Sequence, residues 1–353
     1  MGILHRVYAK NAALVWEAET RVIHRLGWVR PPVAVQWIAT NACDLTCPHC
    51  YSRSGPRLDA ELTTDEVKRL VIDELVALGC PSIVIAGGEL FLRKDLPELI
   101  AYLAGRGLRW SMHTHGRLVP RFRELLAAHP PEMAAVSVDG PPAVHDRFRG
   151  RAGAFDDAMR AIATLREIGV AEVVLGTTVT RDNADLVADL YPFVVSSGAT
   201  SWGLHLFAPE GRGEEHRRLF PTPEQLRRVA AFARRKRAAF HVELDNEWGS
   251  AGRDDLFYRD QPFLCGAGRI TAVVSATGEL MPCTTTDPAE SAGNVRAVPL
   301  SIAWRRGFTK FRQGGSSCAD GRECWLQSRN GNACRALAFP ESAAPAPALE
   351  VAR

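Results

Sequence analysis

The chain has 353 residues and a mass of 38.6 kDa, with 46% hydrophobic and 24% charged residues, which is enough for one large globular domain and a smaller one. A net charge of +3 and a pI of about 8.4 give no strong field of either sign, and this argues against nucleic acid or a membrane surface as the main partner. No run approaches the roughly 20 apolar residues of a membrane span and no secretory signal opens the chain, so the expected location is the cytoplasm.

In chain order, residues 1–32 read as a short helical preamble, polar and amphipathic. Apolar, β-branched runs then recur at Val33–Ala39, Ser82–Ala86, Trp110–His113, Met133–Val138, Glu172–Val179 and Trp202–Phe207, and helix-patterned segments separate them. Thr63 and Glu66 have capping-box spacing, Asp95-Leu96-Pro97 opens a second helix, and Phe155–Ile168 places apolar residues three to four apart, so the runs alternate as strand and helix. Six such units predict an α/β fold, a partial (β/α)6 TIM-like barrel over residues 33–244, although a doubly wound sheet fits the same string. The loops after the first four strands carry Cys43–Cys50, Gly87-Gly88-Glu89, Thr114-His115-Gly116 and Ser137-Val138-Asp139-Gly140, which would all face one rim. Beyond residue 245 the alternation stops. Ile270–Val274 and Leu280–Pro282 flank a turn at Ala276-Thr277-Gly278, which predicts a hairpin within a small cysteine-rich domain, 245–340, and 341–353 read as a flexible tail.

Nine cysteines in a reducing compartment are read first as metal ligands. Cys43, Cys47 and Cys50 put three thiolates within eight residues, a set that suits three irons of one cubane. Zinc held by these three and His49 is the competing reading, and spacing alone leaves both open. Cys80 stands apart and reads as a small core residue.

The run from Asn41 to Tyr51, directly after the first strand, resembles the signature of the radical S-adenosylmethionine superfamily, with His49 where many members have an aromatic residue. The resemblance extends from residue 33 to about 210. It implies a [4Fe–4S] cluster on Cys43, Cys47 and Cys50, whose open iron chelates S-adenosylmethionine and whose electron cleaves it to a 5′-deoxyadenosyl radical that takes hydrogen from substrate. It also implies that Gly87, Gly88 and Glu89 face the cofactor, with Glu89 accepting from its ammonium and Leu90 replacing the usual proline. Ser137, Asp139, Arg149 and Tyr51 are the further cofactor-binding residues implied, and His113, Thr178, Asn183 and His205 are weaker site candidates.

Cys265 and Cys283 bracket the predicted hairpin and resemble the opening of SPASM and twitch extensions; Cys318 and Cys324 keep one further spacing, but Gly315 and Ser328 stand where a complete SPASM domain has cysteine, and nine residues separate Cys324 from Cys334. Five cysteines fit one auxiliary [4Fe–4S] cluster rather than two, with structural zinc as the alternative. The resemblance implies a substrate that is a ribosomally made precursor peptide or, alternatively, a small cofactor, haem or antibiotic precursor. It further implies an electron donor such as ferredoxin or flavodoxin and, for a peptide, a separate recognition protein. Thr284 after Cys283 disfavours sulfatase maturation. Asp245, Glu247 and His115 are candidate catalytic acid–base groups. A non-catalytic iron–sulfur partner is the reading from another class, against which the intact Cys43, Cys47, Cys50 and Glu89 speak.

Overall fold

A computed structural model describes residues 18–245, 248, 263 and 265–313. The strands are β1 (Ala34–Ile38), β2 (Ser82–Ala86), β3 (Arg109–Thr114), β4 (Met133–Ser137), β5 (Glu172–Val179), β6 (Ser201–Leu206), β7 (Val242–Leu244), β8 (Thr271–Val274) and β9 (Leu280–Met281). They form one sheet in the order β7-β6-β5-β4-β3-β2-β1-β8-β9. Every neighbouring pair is parallel except β8 and β9. From β1 to β7 the strands follow one another without the reversal that defines a doubly wound sheet, which selects the partial barrel.

Alternation along each strand divides the sheet into two faces. Val35, Trp37, Ile83, Ile85, Val136 and Leu204 are fully or almost fully buried in the core shared with the helices. Gln36, His113, Ser137, Thr178 and His205 point the other way and line a cleft inside the barrel. The helix starts follow the expected signals. Thr63 Oγ1 accepts from Glu66 N and the Glu66 carboxylate accepts from Thr63 N, closing a capping box. Pro97 sits in the first turn of the helix Leu96–Gly105. The helix Ala154–Glu167 buries Phe155, Ala158, Ala161, Ile162 and Leu165 as one stripe.

Two features differ from the expected elements. A seventh parallel strand, β7, follows the helix Pro223–Lys236; three residues are too few to display a period. The hairpin strand β8 pairs with β1, Ala34 opposite Thr271 and Trp37 opposite Val274, so the hairpin extends the barrel sheet. Residues 1–17 of the expected preamble and the expected tail, 341–353, lie outside the described residues.

Candidate active site

The cysteine loop is fixed from below. The buried Glu61 carboxylate accepts hydrogen bonds from Thr40 Oγ1, from Asn41 N at 2.7 Å and from Leu58 N. Buried Arg93 donates to Ala39 O and Leu62 O, pairs with Asp95 and lies 5.1 Å over the Trp37 ring. Gly88 N donates to Thr40 O and Glu89 N to Ala42 O, both at 2.8 Å. A Cβ on Gly88 would stand 2.1 Å from Ala42 O, and one on Gly87, at φ +153°, 2.7 Å from Thr40 O. The close approach that demands these glycines is thus to the cysteine-loop backbone.

Cys43, Cys47 and Cys50 all line the same cleft, whose volume is about 250 Å³, together with Tyr51, Gly87, Gly88, His113, His115, Ser137, Arg149, Thr178 and His205. Burial pushes the Cys43 thiol up to about 11, the Leu45 amide opposes this, and the neighbouring Cys47, Glu89 and Cys50 add to it. Burial likewise raises Cys47 against the pull of Arg149. At Cys50 burial works the same way, but hydrogen bonds from Ser52 and Ser54 outweigh it and lower the thiol. The Cys43 and Cys47 thiolates are therefore disfavoured until a multiply charged cation sits beside them.

The spread of the donors tells which cation suits. Among the described residues the set of donor atoms lying within 4.8 Å of one another is Cys43, Asp44 and His115; the three sulfurs do not make such a set, with or without His49. Sulfurs on one tetrahedral zinc would stand about 4 Å apart, given Zn–S bonds of about 2.3 Å. The wider spread suits the corners of a cluster. His49 is instead stacked on Phe148, ring centroids 4.5 Å apart, and burial holds its imidazole neutral at about 3.

Glu89 is fully buried, and its carboxylate accepts from Thr114 Oγ1, His115 N and Phe91 N. His115 Nε2 lies 2.9 Å from Asp44 Oδ1 and 3.1 Å from Glu89 Oε2, and Arg117 also pairs with Asp44. His115 therefore joins strand end and cysteine loop. Arg149 is buried between Asp139, at 2.6 Å, and the Cys47 sulfur, at 3.7 Å. Burial disfavours the Asp139 carboxylate, but Arg149, His49, His145 and the Thr178 amide outweigh it and hold it below the usual range. Ser137 lines the cleft, whereas Asp139 lies behind it, with Asn183 bound to its carbonyl. Tyr51 opens onto the cleft near Gln36.

Sequence reasoning missed the clamp from the loop after β6. Arg212 donates to Cys47 O at 2.9 Å and its amide to Cys50 O at 2.9 Å; Arg53 donates to Gly211 O, and a Cβ on Gly211 would stand 2.1 Å from Tyr51 O. The Gly211-Arg212-Gly213 run after a strand was its only sequence signal. Deeper in the barrel, His205 Nδ1 meets Asp245 Oδ2 at 3.0 Å, and His113 faces the same lumen. Enclosure and nearby His205 hold His113 down to about 4, with Asp245 acting the other way. Cys283 lies beside Thr284 and Thr285, both of which line the cleft. Cys318, Cys324, Cys334 and Glu247 lie outside the described residues.

An open parallel barrel with three thiols on the loop after its first strand defines an iron–sulfur enzyme that binds its cofactor at the strand ends. The radical SAM superfamily profile matches residues 37–191. An AdoMet-dependent heme synthase of Nitratidesulfovibrio vulgaris is 32% identical over 79% of this chain and 80% of its own. Mycofactocin maturase MftC of Mycolicibacterium smegmatis is 33% identical over 71% of this chain and 64% of its own. Among solved structures, Streptococcus suis SuiB bound to S-adenosylmethionine superposes with a TM-score of 0.66 at 14% identity, over 84% of this chain and 71% of its own, a likeness of fold. The chain belongs to the radical SAM superfamily and is an enzyme that uses a [4Fe–4S] cluster and S-adenosylmethionine.

Proposed function

We propose that this enzyme acts on a tetrapyrrole, with Cys43, Cys47 and Cys50 as the cluster ligands. The observation that carries the reading is the reach of the likeness to AdoMet-dependent heme synthase, about four-fifths of both chains, well past the shared cofactor domain. Bound, the cluster and S-adenosylmethionine supply a 5′-deoxyadenosyl radical. The chain's own residues hold and shield it. Ser137, on the cleft wall, offers an acceptor to the cofactor's polar groups, Glu89 from behind holds Thr114 and His115 on that wall, Arg149 neutralises thiolate charge beside Cys47, and the barrel wall excludes water from the radical.

Peptide maturation, the first expectation from sequence, is the second reading, and the 33% identity to mycofactocin maturase favours it. The order is reversed because that likeness covers less of both chains. Cys265 and Cys283, with partners among Cys318, Cys324 and Cys334, are proposed to hold one auxiliary [4Fe–4S] cluster, and a ferredoxin or flavodoxin to deliver the electron. The test is anaerobic incubation of reconstituted, reduced enzyme with S-adenosylmethionine and iron coproporphyrin III or haemin. 5′-Deoxyadenosine that rises with the iron porphyrin, and a changed porphyrin mass, are expected. Production indifferent to both porphyrins overturns the tetrapyrrole reading; none at all, with the cluster loaded, contradicts radical generation at this site, and failure of Cys43→Ala, Cys47→Ala or Cys50→Ala to lower iron content overturns the assigned ligands.

A further inference from the structure

Resting on Cys43, Cys47 and Cys50 as the cluster ligands, we propose that Arg212 is a positioning residue for the cluster. With Arg53 it clips the loop after β6 onto the Cys47 to Ser54 half of the cysteine loop, and through that contact it retains the cluster and raises its reduction potential. Arg212 donates from one guanidinium nitrogen to Cys47 O at 2.9 Å and from another to Ser54 O, and its amide donates to Cys50 O at 2.9 Å. From the other side Arg53 donates to Gly211 O at 2.7 Å and pairs with Glu215. The backbone on both sides bends to make the contact. Gly211 has φ +55°, and a Cβ there would stand 2.1 Å from Tyr51 O, while its partner Arg53 takes φ +50°. A left-handed arginine is unfavourable by itself and persists only where its surroundings hold it.

The clip reaches the sulfurs through single residues. Ser54, whose carbonyl Arg212 holds, donates its N–H to Cys50 Sγ at 3.4 Å, and Ser52 Oγ lies 3.4 Å from the same sulfur. Cys47, whose carbonyl takes the other nitrogen, meets Arg149 at its sulfur. Among the described residues the Arg212 side chain gives its hydrogen bonds to carbonyls and pairs with no carboxylate. Its positive charge therefore stands beside two of the three cysteines without a direct partner to cancel it. Reduction adds an electron to the cluster, so a nearby cation and N–H donors on sulfur both favour the reduced form. Arg212 touches no sulfur itself; it acts through Cys47 and Ser54.

The experiment reconstitutes wild type, Arg212→Lys, Arg212→Gln and Arg53→Gln, then follows iron release to a ferrous chelator and the cluster's midpoint potential by EPR-monitored titration. Lysine keeps the charge without the planar fork, and glutamine loses both. Both Arg212 variants should release iron about 10-fold faster, and Arg53→Gln should fall between them and wild type. Arg212→Gln should also lower the midpoint potential, cutting the reduced fraction at a fixed ambient potential about tenfold, and Arg212→Lys should restore most of it. Iron release at the wild-type rate in Arg212→Gln or Arg53→Gln overturns the clip. A potential that Arg212→Gln leaves unchanged, or that Arg212→Lys lowers as far, overturns the role of the charge. If Arg212→Gln takes up no cluster, Arg53→Gln decides, and wild-type release there sinks the proposal. Absence of a cluster signal from the wild-type enzyme counts against the ligand assignment instead.

Discussion

Gly88 shows how little room a single position can leave. Its hydrogen would be replaced by a methyl 2.1 Å from the Ala42 carbonyl, backbone that cannot swing aside as a side chain can. Gly88→Ala should therefore displace the cysteine loop, destabilise the fold by about 2–4 kcal/mol and prevent cluster loading; unchanged melting and iron content would refute this. His145, 1% exposed, accepts the Asp139 N–H on Nδ1, and burial, with the Arg149 cation, lowers it from 6.5 to about 4. Between those values the unfolded chain binds the extra proton, so this contribution is complete near neutral pH and is lost as pH falls toward 4. From pH 7.5 to 5.5 the loss should be about 1 kcal/mol, and His145→Asn, which keeps an acceptor, should remove it from urea-unfolding curves. An identical pH slope in wild type and variant would count against this account. The cysteines and Gly87-Gly88-Glu89 were legible because their spacing is local. Arg212 and Glu61 were not, because their partners are chosen by loop packing.

Among elements, the junction between hairpin and barrel hangs on Arg296. Its guanidinium pairs with both oxygens of Glu66, at 2.7 and 2.9 Å, and donates to Ala60 O and Glu61 O. It thus ties the segment after β9 to the helix start that Thr63 caps. Half exposed, the pair adds modestly to stability, and Arg296→Ala should cost about 1 kcal/mol. Hydrogen exchange locates the effect: amides of β8 and β9 should exchange faster while those of β5 stay protected, and a uniform change would contradict a local latch. The first six strands were legible as apolar runs of four to eight residues. β7 was not, since three residues, Val242–Leu244, carry no periodicity and are held by pairing with β6.

For the whole molecule, β8 on the β1 edge brings the Cys283 loop to the cleft that holds the first cysteine cluster, through Thr284 and Thr285. Two clusters in one protein would then serve one chamber. Replacing Cys43, Cys47 and Cys50 together by Ala should leave about four irons per reconstituted chain, and iron analysis finding none would remove the auxiliary cluster.

The sequence by itself determined the three-thiolate loop, the parallel α/β class and the order of the rim loops, because each depends on residues close together in the chain. Tertiary structure alone decided that the strands run in unbroken order rather than double back. It decided, too, that the hairpin joins the barrel sheet, and that His205, Asp245 and His113, far apart in sequence, share one lumen. Those outcomes follow from strand pairing and side-chain facing across the sheet, which local periodicity does not encode.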